Sequence, residues 1–126
     1  MRALSIRHPW AELILRGIKT IEVRSSNTKV RGRVYIYASL GRYPADLEDQ
    51  CSDQFGLDMD ALPRGVLVGT VEITGSRPLE FTDSEAACFE IEVVEKQFAW
   101  LVANPERASE LLKPTKHPQP VWFNPF

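Results

Sequence analysis

The chain has 126 residues, 44% of them hydrophobic and 25% charged, which is the composition of one ordinary globular domain and too little chain for two comfortable ones. Fifteen basic and seventeen acidic residues give a net charge of −2, which argues against a protein that coats nucleic acid indiscriminately. The charge is split, however: residues 1–43 hold nine Lys/Arg against Glu12 and Glu22, a net +7, and the remainder nets −9. Such asymmetry points to a local anionic partner.

No apolar run approaches the roughly 18 residues of a membrane span, and Met1-Arg2-Ala3-Leu4-Ser5 leads straight into the polar His8-Pro9 rather than a secretory h-region. Cys51 and Cys88 lack CxxC spacing, so a reducing, cytoplasmic location is expected, with no disulfide framework. Two histidines and two distant cysteines suggest neither a metal centre nor a bound cofactor.

In chain order, Leu4-Ser5-Ile6 reads as a short strand. Pro9 suits the first turn of a helix over Trp10–Arg16, whose Trp10, Leu13, Ile14 and Gly17 follow i, i+3, i+4, i+7. Gly17 is a natural stop. Thr20–Arg24 alternates, with Ile21 and Val23 on one face and Thr20, Glu22 and Arg24 on the other. A polar loop over 25–28 precedes a strand over Arg33–Ser39. A weak helix and an acidic loop fill 44–63, followed by a central strand from Val66 to Ile73 that ends in a turn at Gly75. Cys88–Val94 alternates and predicts a strand with Phe89, Ile91 and Val93 inward. Phe98–Val102 predicts a short strand, Asn104-Pro105-Glu106 a helix start with Leu111 and Leu112 inside it, and Val121-Trp122-Phe123 a closing segment. The sum is an α+β, mainly β fold: one domain over 1–126, a partly closed β-barrel of about five or six strands with two or three peripheral helices.

The most informative segment is Gly17-Ile18-Lys19-Thr20-Ile21-Glu22-Val23-Arg24. Period two puts Glu22 and Arg24 on one strand face, and Lys19 sits where helix hands over to strand. Two cations flanking a carboxylate supply donors and one strong acceptor, the equipment to read a nucleobase edge and hold a phosphate; a solvated strand face carrying a surface ion pair is the plain alternative.

With the preceding Leu4–Gly17 segment, this G-x-K-x-x-E-x-R element resembles the ASCH (activating-signal-cointegrator homology) domain, a family that shares the β-barrel of the PUA superfamily. The resemblance continues through Gly32–Ser39 and Gly65–Val71 and, more weakly, Phe98-Ala99-Trp100 and Val121-Trp122-Phe123. It implies RNA or nucleotide recognition between the first helix and the barrel, with Gly17, Lys19, Glu22 and Arg24 as motif positions. Some small members resemble amidohydrolases that deacylate N4-acetylcytidine with a motif lysine and a threonine where this chain has Glu22; others resemble metal-assisted ribonucleases. A hydrolytic role would use Lys19 and Glu22: burial would lower the Lys19 pKa and let it act as a base, whereas a carboxylate beside it favours the charged form, so the pair favours binding over base catalysis unless burial dominates.

Secondary candidates are His8 beside the motif, Ser39 at a strand end, and Arg31 and Arg33 with Lys29 after the polar loop as phosphate contacts. Tyr35, Tyr37 and Tyr43 offer stacking surfaces, although Tyr35 and Tyr37 share a face that is partly core. Trp10, Trp100 and Trp122 read as core, and Glu72 as an outward residue. The expected partner is RNA or a small nucleoside, plain or modified, with no membrane. A protein partner on the acidic face of 46–60, through Asp53, Asp58 and Asp60, is the remaining alternative.

Overall fold

A computed structural model describes residues 1–126. Strands and helices follow in the order β1 (Ala3–Ile6), α1 (Trp10–Leu15), β2 (Ile21–Arg24), β3 (Gly32–Ala38), α2 (Ala45–Phe55), β4 (Val66–Pro78), a single 3-10 turn (Phe81–Asp83) running into α3 (Ser84–Ala87), β5 (Phe98–Leu112) and β6 (Trp122–Phe123). All six strands join one sheet in the order β2-β5-β4-β3-β1-β6. Only β1–β3 is parallel. The sheet curls into a half-barrel accompanied by three helices, the mainly β architecture expected.

The main core joins Leu4 and Ile6 of β1, Ile14 and Leu15 of α1, Val34 and Ile36 of β3, Val68, Val71 and Ile73 of β4, and Trp100 and Val102 of β5. Helix α1 lies across β3, β4 and β5. Its close seat depends on Gly69: a Cβ there would overlap the Glu106 carbonyl oxygen and Leu15 Cδ2. A smaller core of Ile21, Leu79, Ala87, Ile91 and Ala99 fastens the segment after α3 to β2 and β5. No helix is long and apolar enough to cross a membrane.

Three local expectations are corrected. Residues 98–112 form one 15-residue strand, not a short strand and a helix. Asn104-Pro105 falls at a slip in the β4–β5 ladder, where Asn104 takes a positive φ of 52° and Pro105 needs no partner for its missing N–H. Pairing with the 13-residue β4 thus overrides the local helix signal. Gly75 does not end β4; it pairs with Leu101 at another slip, and the strand runs on to Pro78. Cys88–Val94 forms no strand: the segment packs Ile91 against Ile21 and Ala99 instead of pairing along the free edge of β2. Cys88 closes α3 with a φ of 66°. Of the three residues expected inward, only Ile91 is buried, while Val93 is exposed and Phe89 turns toward the cleft beside α1. The two cysteines are free thiols.

Candidate functional site

The end of α1 fixes the site. Gly17, at φ 75°, reverses the chain, and the amides of Ile18 and Lys19 both donate to the Leu13 carbonyl at 3.1 Å. This turn places Lys19 inside the molecule, 2% exposed, before β2 begins. Its Nζ donates to the Ala87 carbonyl at 2.6 Å and stands 3.8 Å from Glu22 Oε1. The ammonium also lies 4.9 Å from the centre of the Trp10 ring and 5.5 Å from that of Phe89, distances at which the π faces attract a cation.

Glu22 and Arg24 are two positions apart, with Val23 between them, so both face the same side of β2, as period two predicts. Arg24 Nε and Nη2 donate to Glu22 Oε2 at 2.9 and 2.7 Å, and Nη2 also reaches the Ser5 carbonyl at 2.8 Å. The guanidinium rests 5.6 Å from the Trp100 ring centre, and Trp100 stacks on Trp122 at 5.6 Å. Lys19, Glu22 and Arg24 therefore converge.

Burial pushes the Lys19 ammonium below the usual lysine range, and the Glu22 carboxylate is the strongest influence holding it up. The Cys88 thiol is pushed up by burial, with nearby Lys19 acting the other way. Hydrogen-bonding capacity is left over. Lys19 spends one of three N–H donors, Glu22 Oε1 accepts no hydrogen bond, and Arg24 Nη1 donates to nothing in the chain.

These groups open into a pocket of about 390 Å³, walled by Trp10, Phe89, Tyr43 and Arg7. The Trp10 indole N–H donates to the Tyr43 hydroxyl at 3.0 Å, and the Arg7 guanidinium lies 4.7 Å from the Tyr43 ring centre. Arg7 and Phe89 are wall residues that the sequence did not reveal as such. Arg7 precedes His8-Pro9 with no periodic signal, and Phe89 sits in an alternating stretch that mimics a strand. Trp10, expected as core, is only half-buried and shows a face to the pocket.

The remaining candidates lie elsewhere. His8 is buried on the far side of the turn, with Nε2 2.8 Å from the Pro63 carbonyl, and does not line the pocket. Arg31 folds back on the Thr28 and Val30 carbonyls. Arg33 donates to Thr70, Glu72 and the Asn104 carbonyl, across β4 and β5. Ser39 lines a second pocket of about 490 Å³ that shares Arg7 and Arg24 with the first. Tyr37 is buried, edge-on to Phe123 at 5.3 Å. On the acidic face, Asp60 pairs with Arg42 at 2.7 Å, and Arg42 also pairs with Glu48.

Comparison with known proteins adds three findings. The ASCH domain family model matches residues 4–112. Activating signal cointegrator 1 of Mus musculus is 49% identical over 45 residues, 36% of this chain and 8% of that protein. The Homo sapiens protein of the same name is 53% identical over 36 residues, 29% of this chain and 6% of that one. The matched segments thus span less than a tenth of those relatives. A crystal structure of ASCH from Zymomonas mobilis superimposes with a TM-score of 0.64 at 16% identity, covering 98% of this chain and 87% of that one. A single-substitution variant of the same protein gives 0.55 at 14%, covering 89% and 74%. At these identities the likeness is one of fold.

Proposed function

We propose, for a chain that belongs to the ASCH domain family, that it recognises RNA or a modified nucleoside by taking one nucleobase into the pocket at the G-x-K-x-x-E-x-R element. One observation carries the reading: unspent donors on Lys19 and an unspent acceptor on Glu22 lie 3.8 Å apart between aromatic walls. Adjacent donor and acceptor match the edge of a base, and Trp10, Tyr43 and Phe89 offer its faces a stacking surface. Arg7 and Arg24 add positive charge for a phosphate at the rim. The acidic remainder of the chain opposes accumulation of long polyanions, which suits a selective pocket.

Recognition is preferred to hydrolysis on geometry: Lys19 Nζ already donates to the Ala87 carbonyl and faces Glu22 Oε1, so it stands as a donor beside an acceptor, although burial lowers it and Glu22 only partly opposes that. A thermal-shift screen of free and modified nucleosides and short RNAs tests the reading. A bound ligand raises the melting temperature with its concentration, and Lys19→Met abolishes that rise. A ligand-induced rise that survives Lys19→Met would overturn it. Acetate release from N4-acetylcytidine that is lost in Lys19→Met would favour the amidohydrolase instead.

A further inference from the structure

The second pocket is separated from the first by two arginines. Arg24 Nη2, bonded to the Ser5 carbonyl at 2.8 Å, forms the partition, and Arg7 stands above it on the face of Tyr43. The far wall, residues 118–121, is fastened rather than loose. Ser5 holds it twice, its amide donating to the Val121 carbonyl at 2.9 Å and its hydroxyl to the Gln119 carbonyl at 2.7 Å. The Ser39 hydroxyl faces this space without a hydrogen bond to the chain.

Arg7 itself is unspent. Eight of the ten arginines donate at least one hydrogen bond to the chain; Arg7 and Arg2 donate none, and Arg7 has no carboxylate within 4.0 Å. Gly41 leaves it room: a Cβ there would lie 2.6 Å from Arg7 Nη2 and 2.7 Å from Nε, so any other residue would make the guanidinium shift. A planar fork with all its donors free, stacked on an aromatic ring at the boundary of two pockets, matches the phosphate that joins two nucleosides.

We propose that the site takes a strand of at least two nucleotides, one base in the Lys19–Glu22 pocket and its neighbour in the Ser39 pocket, with the linking phosphate on Arg7 and the free Nη1 of Arg24. The proposal rests on the nucleobase reading of the first pocket and narrows its ligand class to an oligonucleotide.

The test is competition against a fluorescein-labelled random RNA hexamer, read by anisotropy. Two competitor mixtures are used: the four nucleoside 5′-monophosphates and the sixteen dinucleoside monophosphates. A monophosphate carries more charge than a dinucleoside linkage, so an advantage of the dinucleotides cannot come from charge alone. The dinucleotides should compete at about tenfold lower concentration. Arg7→Ala should bring the two mixtures to within about twofold. Gly41→Ala, which keeps every charge and displaces the guanidinium, should shrink the advantage at least about threefold. Arg7 is exposed, so its removal should leave the melting temperature in place.

Equal competition by the two mixtures, with monophosphate binding still lost in Lys19→Met, would overturn the second subsite and leave the first standing. An advantage that survives Arg7→Ala would also overturn the proposal. Competition by neither mixture, with hexamer binding unchanged in Lys19→Met, would overturn both readings.

Discussion

Glu12 and Glu22 are both buried carboxylates, each held by two cations, one on α1 and the other on β2. Glu12 is saturated. Arg107 Nη1 and Nη2 donate to its two oxygens at 2.9 and 2.8 Å, and Arg16 Nε adds a third bond at 2.7 Å. Glu22 is half used: Oε2 takes both bonds from Arg24, and Oε1 faces Lys19 at 3.8 Å beside an open pocket. The first cluster ties α1 to β5 and leaves no unbonded carboxylate oxygen; what it leaves over, on Arg16 and on Arg107 at a separate pocket, is donor only. Burial and charge are common to both clusters, so neither marks a binding site; an unbonded acceptor next to unspent donors at a cavity is found only at Glu22.

Glu12→Ala should give the largest effect on folding. It strips the counter-charge from two half-exposed guanidiniums and unties α1, so a loss of about 1–3 kcal/mol is expected in chemical denaturation. RNA affinity of the folded protein should change by less than about twofold. A comparable loss of affinity would erase the contrast between the clusters.

Glu22→Gln should reverse that balance. It should weaken nucleobase binding about tenfold, the worth of a hydrogen bond to a charged group, and cost less stability than Glu12→Ala because only one oxygen is bonded. Calorimetric titration and denaturation on the same sample would separate the two.

The pH dependences also differ. Burial pushes Glu12 up, but its bonds to Arg107 and Arg16 outweigh burial and hold it below the usual carboxylate range. Between its folded and unfolded values the unfolded chain binds the extra proton, so its contribution is present above the ordinary carboxylate range and lost as pH falls through the lower folded value. Glu12→Gln should flatten that acid limb of stability. Lys19 is likewise lowered, mainly by burial. Its folded form releases the proton first, so stability rises with pH between the folded and unfolded values, whereas binding that needs the ammonium weakens over the same interval. The alkaline midpoint of binding should therefore fall below the usual lysine range. Glu22→Gln, which removes the strongest influence holding Lys19 up, should move it lower still.

The smallest effect is expected from Arg33→Ala. Its donors are committed to Thr70, Glu72 and the Asn104 carbonyl, so affinity for a short RNA should change by less than about twofold. The salt dependence should correspond to only one or two phosphate contacts, a logarithmic slope of about −1.

The motif was legible because its spacing has local causes. Gly17 must turn the chain, Lys19 follows two residues later, and period two aligns Glu22 with Arg24. Strand β2 and helix α1 were legible for the same reason. Residues 104–112 were not, because Asn104-Pro105 carries a helix-start signal that only pairing with a distant strand overrides. Phe89 is not legible as a wall residue because alternation in 88–94 looks the same whether the segment pairs as a strand or only packs one side chain, Ile91, into a core. Arg7 is not legible in the sequence because what distinguishes it, the lack of a partner and the space at Gly41, exists only in three dimensions.

The central claim is that Lys19 reads the ligand while the Glu12 cluster only holds the fold. It is tested most directly by calorimetric titration of one short RNA into the wild type, Lys19→Met and Glu12→Gln, each at a temperature where it is fully folded. The account predicts at least about a tenfold loss of affinity for Lys19→Met and wild-type affinity for Glu12→Gln. Wild-type affinity in Lys19→Met, or an equal loss in both variants, would contradict it.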